Sequence, residues 1–242
     1  PKHGKTTTEG IFAPWCMYKE DFLAVGGHDE LFAPQSKEDS DLFNRFILKG
    51  YKVIQTWEGL VYHFTSRGSR FNKHAGGAAG KNSDEWLYTT NKNMRNFIRK
   101  WGHSVKHDPL MKPIIPHKYN IGFVVKNNNL KLLEALEPWC SVYYGDGHWV
   151  QYSHYINQEQ SNTKLDLDDR IKPISFYDEG MSDHGIIVEI DGHKITQQDF
   201  QILQILPEVL EEGGEVGEFE YGNMKITINH LTTHEKDLIT CK

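Results

Sequence analysis

Three cysteines in 242 residues, Cys16, Cys140 and Cys241, are too few, too far apart and odd in number to build a disulfide framework. No C-x-x-C pair is present to hold zinc, so cysteine usage fits a reducing compartment. Acceptor sites of the Asn-x-Ser/Thr type are also missing, which favours a cytoplasmic setting over a secretory one. Long apolar runs are lacking: nothing approaches the roughly 18 to 20 residues of a membrane span, and the polar opening Pro1 to Glu9 is unlike a signal peptide. A basic excess is lacking too. With 27 Lys and Arg against 33 Asp and Glu, the net charge of -6 argues against a nucleic-acid partner held mainly through its phosphates. An initiator Met is absent, and core-like sequence follows Pro1 almost at once, which predicts a fragment or a processed product.

What is present is enough apolar sequence, 38%, for one large domain or two modest ones. A short helical turn is expected around Lys19 to Ala24, stopped by Gly26-Gly27. A helix over Asp39 to Lys49 puts Leu42, Phe43, Phe46 and Ile47 on one face, with Gly50 where a C-cap belongs and Glu38, Asp39 and Asp41 at its N-terminal end. Strands follow at Lys52 to Thr56 and Leu60 to Phe64, then a glycine-containing basic loop from Thr65 to Asn82, expected to be mobile. A helix capped by Ser83 or Asp84 carries Met94, Phe97, Ile98 and Trp101 at i, i+3, i+4, i+7 and ends at Gly102. Prolines 109, 113 and 116 mark the best linker, dividing the chain into residues 1–112 and 113–242. The second part opens like a βαβ unit: strand Ile121 to Val125, helix Asn129 to Leu136, strand Val142 to Tyr144. Later come a strand at Ile186 to Ile190, a capping box Thr196-Gln197-Gln198-Asp199 and a hairpin turning at Gly222-Asn223.

The informative stretch is Val25-Gly26-Gly27-His28-Asp29-Glu30-Leu31-Phe32, then Lys37-Glu38-Asp39-Ser40-Asp41-Leu42, Arg45, Gly50-Tyr51-Lys52, Val61-Tyr62-His63 and finally Lys100-Trp101-Gly102. In order and spacing it resembles the C-terminal, acceptor-side half of family 2 and family 27 glycosyltransferases, which have the GT-A fold. The resemblance implies a partial GT-A-like α/β domain, followed here by a smaller α/β module. It further implies a nucleoside diphosphate sugar donor and a carbohydrate acceptor, with Asp39 as base and Glu38 as its neighbour and possible substitute. His63 would be the ligand of Mn²⁺ or Mg²⁺, and Trp15, His28 and Asp29 would line the acceptor side. The chemistry agrees: transfer needs a base for the acceptor hydroxyl and a cation to steady the departing diphosphate. Arg67, Arg70 and Lys73, in the basic loop, are candidates to close over that diphosphate, against a solvated loop as the alternative.

Relatives of this kind carry an Asp-x-Asp motif upstream of the Gly-Gly segment, where this sequence has no room for one. Asp166-Leu167-Asp168-Asp169 matches the letters on the wrong side of the segment and reads as polar surface. The rival reading is therefore a non-catalytic carbohydrate-binding or assembly module without the donor half. A metal-dependent hydrolase is poorer, because no His-x-x-x-His cluster accompanies Glu38, Asp39 and His63. In the second part, Glu134, Glu137, Trp139, Cys140, Tyr143, Tyr144, Asp146 and His148 are either a carbohydrate-facing patch or ordinary surface, and Cys140 reads as structural. An edge left open by a missing half predicts self-association into a homo-oligomer.

Overall fold

The computed structural model describes residues 4–11, 14–59, 61, 69–178 and 183–241. It is a mixed α/β protein whose chain divides into two compact units. The first comprises residues 1–97, 105–115 and 237–242, and the second residues 98–104 and 116–236. The prolines predict a division at 112/113; the observed units interleave around that point, with residues 98–104 in the second and 105–115 in the first.

The first unit is built on helices. Helix α1 (Lys19–Ala24) ends at the glycine pair, where Gly26 and Gly27 adopt φ of +82° and +72°, a left-handed reversal that costs glycine little. Helix α2 (Glu38–Leu48) buries Leu42, Phe43 and Phe46 against Val25, while Ile47 is only half-buried. At its far end Gly50, with φ of +90°, lets the Tyr51 N–H reach the Phe46 carbonyl and the Gly50 N–H reach that of Ile47. Strands β1 (Thr7–Glu9) and β2 (Ile54–Thr56) pair antiparallel, Thr8 opposite Gln55. The strand expected at Lys52 to Thr56 is thus three residues long, and the one expected at Leu60 to Phe64 lies almost wholly outside the described residues. Helix α3 (Asp84–Trp101), whose residues from 98 onward belong to the second unit, starts where Ser83 Oγ accepts the Trp86 N–H. Phe97, Ile98 and Trp101 are buried as their spacing predicts, but Met94 is 42% exposed, so the apolar stripe is narrower than the sequence implied.

The second unit is a six-stranded sheet with strands β3 (Ile121–Lys126), β4 (Val142–Gly145), β5 (Ile171–Pro173), β6 (Ile186–Asp191), β7 (Gly217–Tyr221) and β8 (Met224–Ile228). Their order is β5-β4-β3-β6-β8-β7; the first four are parallel, and β8 runs antiparallel to both its neighbours, β6 and β7. Helices α4 (Leu130–Leu136), α5 (Trp149–Glu159), α6 (Leu167–Arg170), α7 (Gln197–Gln204) and α8 (Leu206–Gly213) complete it. Period-two alternation sends Phe123, Val125, Val188 and Ile190 into one core, which Leu133, Leu136, Leu203 and Leu210 of the helices complete. Two local signals are met by their atoms: Thr196 and Asp199 make both bonds of a capping box, and Gly222, at φ of +59°, turns the β7–β8 hairpin.

Candidate functional site

In the first unit the candidate carboxylates sit on the first turn of α2. Lys37, at the N-cap, has a left-handed φ of +74° and its side chain caps nothing, so the acidic residues behind it supply the charge that the helix N-terminus favours. Burial raises the pKa of Glu38 above the ordinary carboxyl value; Asp39's charge adds to the rise, while His28 and Lys37 oppose it. Burial likewise raises Asp39, with His28 again in opposition. Glu38 Oε2 is enclosed and has no hydrogen-bond partner among the described residues. His28 meets Trp15 and Phe22 edge-on, with ring centroids 6.5 and 5.4 Å apart, and Trp15 stands perpendicular to Phe43 of α2 at 5.3 Å. The fold therefore brings Trp15, His28, Glu38 and Asp39 together: two carboxyls raised above their ordinary pKa by burial, an exposed imidazole and a half-buried indole.

Two braces hold this arrangement, and neither has a role that the sequence alone suggests. Arg45, fully buried, donates from Nε to Asp41 Oδ2 at 2.9 Å, from Nη2 to the Gly27 carbonyl at 2.7 Å and from Nη1 to the Val25 carbonyl. It clips the glycine reversal onto α2 and so fixes where His28 emerges. From α3, Asn93 Nδ2 donates to the Phe32 and Gln35 carbonyls at 2.7 and 2.6 Å, and Asn96 Nδ2 to the Leu31 carbonyl at 3.3 Å. The available signals were an Asp-Arg pair at i, i+4 and two asparagines at i, i+3 in a helix, where buried amides must find partners.

Asp29 turns elsewhere. Its Oδ1 accepts the Leu31 N–H at 2.9 Å, and its carboxylate lies near Asp41 and Cys241, the ligand atoms of the three all within 4.8 Å of one another. That trio does not fit a divalent cation, because Asp41 is already neutralised by Arg45 at 2.8 Å and Asp29 is engaged in capping a turn. His63 and Arg67 lie outside the described residues. From residue 69 onward the basic segment, whose composition predicts a loop without order, forms two 3-10 turns (Ser69–Phe71 and Lys73–Ala75) and a bridge between Ala78 and Lys81. Arg70 stacks on Trp86 and Phe71, its guanidinium carbon 4.7 and 5.1 Å from their ring centroids, and its Nε donates to Asn82 Oδ1 at 2.7 Å. Lys73 opens the second turn and is exposed.

The second unit corrects the expected surface patch. Glu137, Trp139, Cys140 and Tyr143 are core residues, whereas Glu134, Asp146 and His148 are exposed. Glu137 takes both Arg99 and Arg170, at 2.7 and 2.8 Å, and Arg99 also reaches Glu159 at 3.0 Å. Burial works to raise the Glu137 pKa, but the two guanidinium groups hold it below the ordinary value. Cys140 is buried, and burial pushes its thiol up to about 12, away from the range in which a thiolate forms readily. Asp166 is the cap of α6, accepting the Asp168 N–H at 2.9 Å, so the Asp-Leu-Asp-Asp letters serve a helix end.

In an open parallel sheet, ligands tend to sit beyond the C-terminal ends of the strands where the connections diverge, here between β3 and β6. Those ends are knitted to one another. Asp146 accepts the Asn127 and Asn128 N–H groups at 2.7 and 2.9 Å, and Asn127 Nδ2 donates to Asp191 Oδ1 at 2.8 Å. Below them, Asn120 Nδ2 donates to the Asp183 carbonyl at 3.3 Å, which turns its Oδ1 to His184 Nδ1 at 2.7 Å. His184 therefore carries its proton on Nδ1 and accepts the Tyr144 hydroxyl at Nε2, 3.1 Å away. Burial lowers the His184 pKa, with Asp183 opposing.

Comparison with protein-family models, with curated proteins and with solved structures gives no match. Among the described residues, no helix is long and apolar enough to cross a membrane.

Proposed function

We propose that residues 1–112 are the acceptor-side part of a GT-A-like glycosyltransferase that moves a sugar from a nucleoside diphosphate sugar to a hydroxyl acceptor with inversion. The observation that carries this reading is the pairing of Glu38 and Asp39, both raised above the usual carboxyl range, beside the aromatic and imidazole surface of Trp15 and His28. A general base works best when its pKa approaches the working pH, and an indole face suits the apolar face of a sugar ring. Asp39 takes the proton of the acceptor hydroxyl as that oxygen bonds to the anomeric carbon. The bond from that carbon to the diphosphate oxygen breaks, and single displacement inverts the centre. Arg70, held by its aromatic stack, and Lys73 supply positive charge for the diphosphate. The Mn²⁺ or Mg²⁺ of the family resemblance rests on His63 alone.

The second reading, a carbohydrate-binding or assembly module without a donor site, is favoured by one specific observation. The one trio with metal-like spacing among the described residues, Asp29, Asp41 and Cys241, has Asp41 already paired with Arg45 and Asp29 engaged by the Leu31 N–H. Calorimetric titration with UDP and Mn²⁺, repeated on His63→Ala, separates the two. Binding that requires both the metal and His63 is expected for the transferase; no binding by a folded chain leaves the acceptor-side module.

A further inference from the structure

The second unit has an open strand edge that the proposed transfer does not use. Strand β7 is the outermost of its sheet, and among the described residues no strand pairs with its outer side. The two-residue turn at Gly222-Asn223 obliges Tyr221 and Met224 to exchange both main-chain bonds, so alternation points the N–H and C=O groups of Glu218 and Glu220 away from β8. On one face of the sheet, charges alternate from strand to strand. Lys126 of β3 meets Glu189 of β6 at 3.9 Å, Glu189 meets Lys225 of β8 at 3.9 Å, and Lys225 meets Glu218 of β7 at 2.9 Å. This row stops on an acid. Glu220 stands across from Lys225, which turns to Glu218 instead, and is exposed without an ion pair among the described residues. The opposite face of β7 carries Phe219 and Tyr221, 41% and 48% exposed. From Ile195 to Met224 the chain has no Lys, Arg or His, so the approach to this edge is acidic throughout.

We propose that the β7 edge binds an extended basic peptide segment, in which Lys or Arg alternates with apolar residues, as a seventh strand. Main-chain bonds to the outward N–H and C=O groups of Glu218 and Glu220 hold the segment, as strand addition requires. Period-two alternation puts its cations on the face of Glu218 and Glu220, where they continue the row, and its apolar residues beside Phe219 and Tyr221. A second copy of the chain fits poorly: antiparallel pairing of two β7 strands about Phe219 sets Glu218 against Glu220 twice. Charge complementarity therefore selects a basic partner.

The alternative is that the glutamates only guard the edge against pairing. Titration of the full chain with a fluorescein-labelled Val-Lys-Val-Lys-Val peptide, read by anisotropy and by NMR amide exchange, decides between them. A Kd below about 1 mM is expected. Glu218→Lys combined with Glu220→Lys should weaken binding roughly ten-fold or more, and methylating every backbone nitrogen of the peptide should abolish it. With the peptide bound, the Glu218 and Glu220 amides should exchange roughly ten-fold more slowly, while that of Phe219, already bonded to β8, changes little. No binding up to about 1 mM, binding indifferent to methylation, or a bound peptide that leaves Glu218 and Glu220 unprotected overturns the proposal. Protection that rises with protein concentration in the absence of peptide also overturns it, because a second copy then fills the edge. The exchange of the wild type alone is decisive, so the test holds even if the variant fails to fold.

Discussion

Glu38 and Glu137 are the same residue in opposite electrostatic states, and the order is the reverse of what burial alone dictates. Glu137 is completely enclosed, yet two arginines hold its pKa down; Glu38 is only half-buried, and with an imidazole and one lysine nearby its pKa rises. What separates them is partner count. The second unit matches its buried charges with partners, through Arg99, Arg170, Glu137 and Glu159. The first does so at Asp41 and Arg45 but leaves the start of α2 under-served. The pKa values of Glu38 and Asp39 are therefore raised by burial, whereas Glu137 is held low and ties Arg99 of α3 to Arg170 of α6.

The comparison can be broken most directly in the second unit. Glu137→Ala leaves Arg99 buried without its main partner and should cost about 3–5 kcal/mol in urea unfolding. If the loss were under about 1 kcal/mol, comparable to an exposed ion pair, the arginines would not be what sets Glu137's state.

A smaller effect should appear in acid. His184 has a folded pKa below its unfolded value near 6.5, so the folded state resists protonation more than the unfolded one. Its contribution is present above the unfolded value and is lost as the pH falls through the lowered folded one. The urea midpoint of the wild type should therefore drop below pH 6.5 more steeply than that of His184→Asn, which has no such proton to bind. Parallel curves would show that the Tyr144–His184–Asn120 chain is indifferent to charge.

The smallest expected change sharpens the contrast at the first unit. A carboxyl with a raised folded pKa weakens the fold as the pH climbs past its unfolded value, so Glu38→Gln and Asp39→Asn should raise Tm at pH 7, by about 1–3 °C. A fall in Tm in both variants would mean that the pair stabilises α2 and is an ordinary helix start.

Legibility in the sequence followed the range of the forces involved. Helices α1, α2 and α3, the capping box at Thr196 and the turn at Gly222 were readable because periodicity, caps and glycine act within a few residues. The carboxyl pair was readable as a helix start, and only a resemblance lent it chemistry. Arg45's grip on the Val25 and Gly27 carbonyls was not readable, since its partners lie 20 and 18 positions away. The same holds for Glu137, which looked like surface because nothing near it in sequence shows that Arg99 and Arg170 converge on it. Composition misled at the basic segment: Ser69 to Lys81 lacks apolar periodicity, yet Trp86 and Asn82 give Arg70 a fixed seat.

The order of strands in the second unit carries a consequence for how the chain is made. Strand β3 takes β4 as one neighbour and β6 as the other, Phe123 lying between Tyr143 and Val188. During synthesis the first pairing can close soon after the β3–α4–β4 segment emerges, but the opposite edge of the most apolar strand stays bare until residue 191 has left the ribosome. A nascent chain paused between these points presents Ile121 to Val125 as an unpaired template, so that interval is when chaperone capture has most to protect.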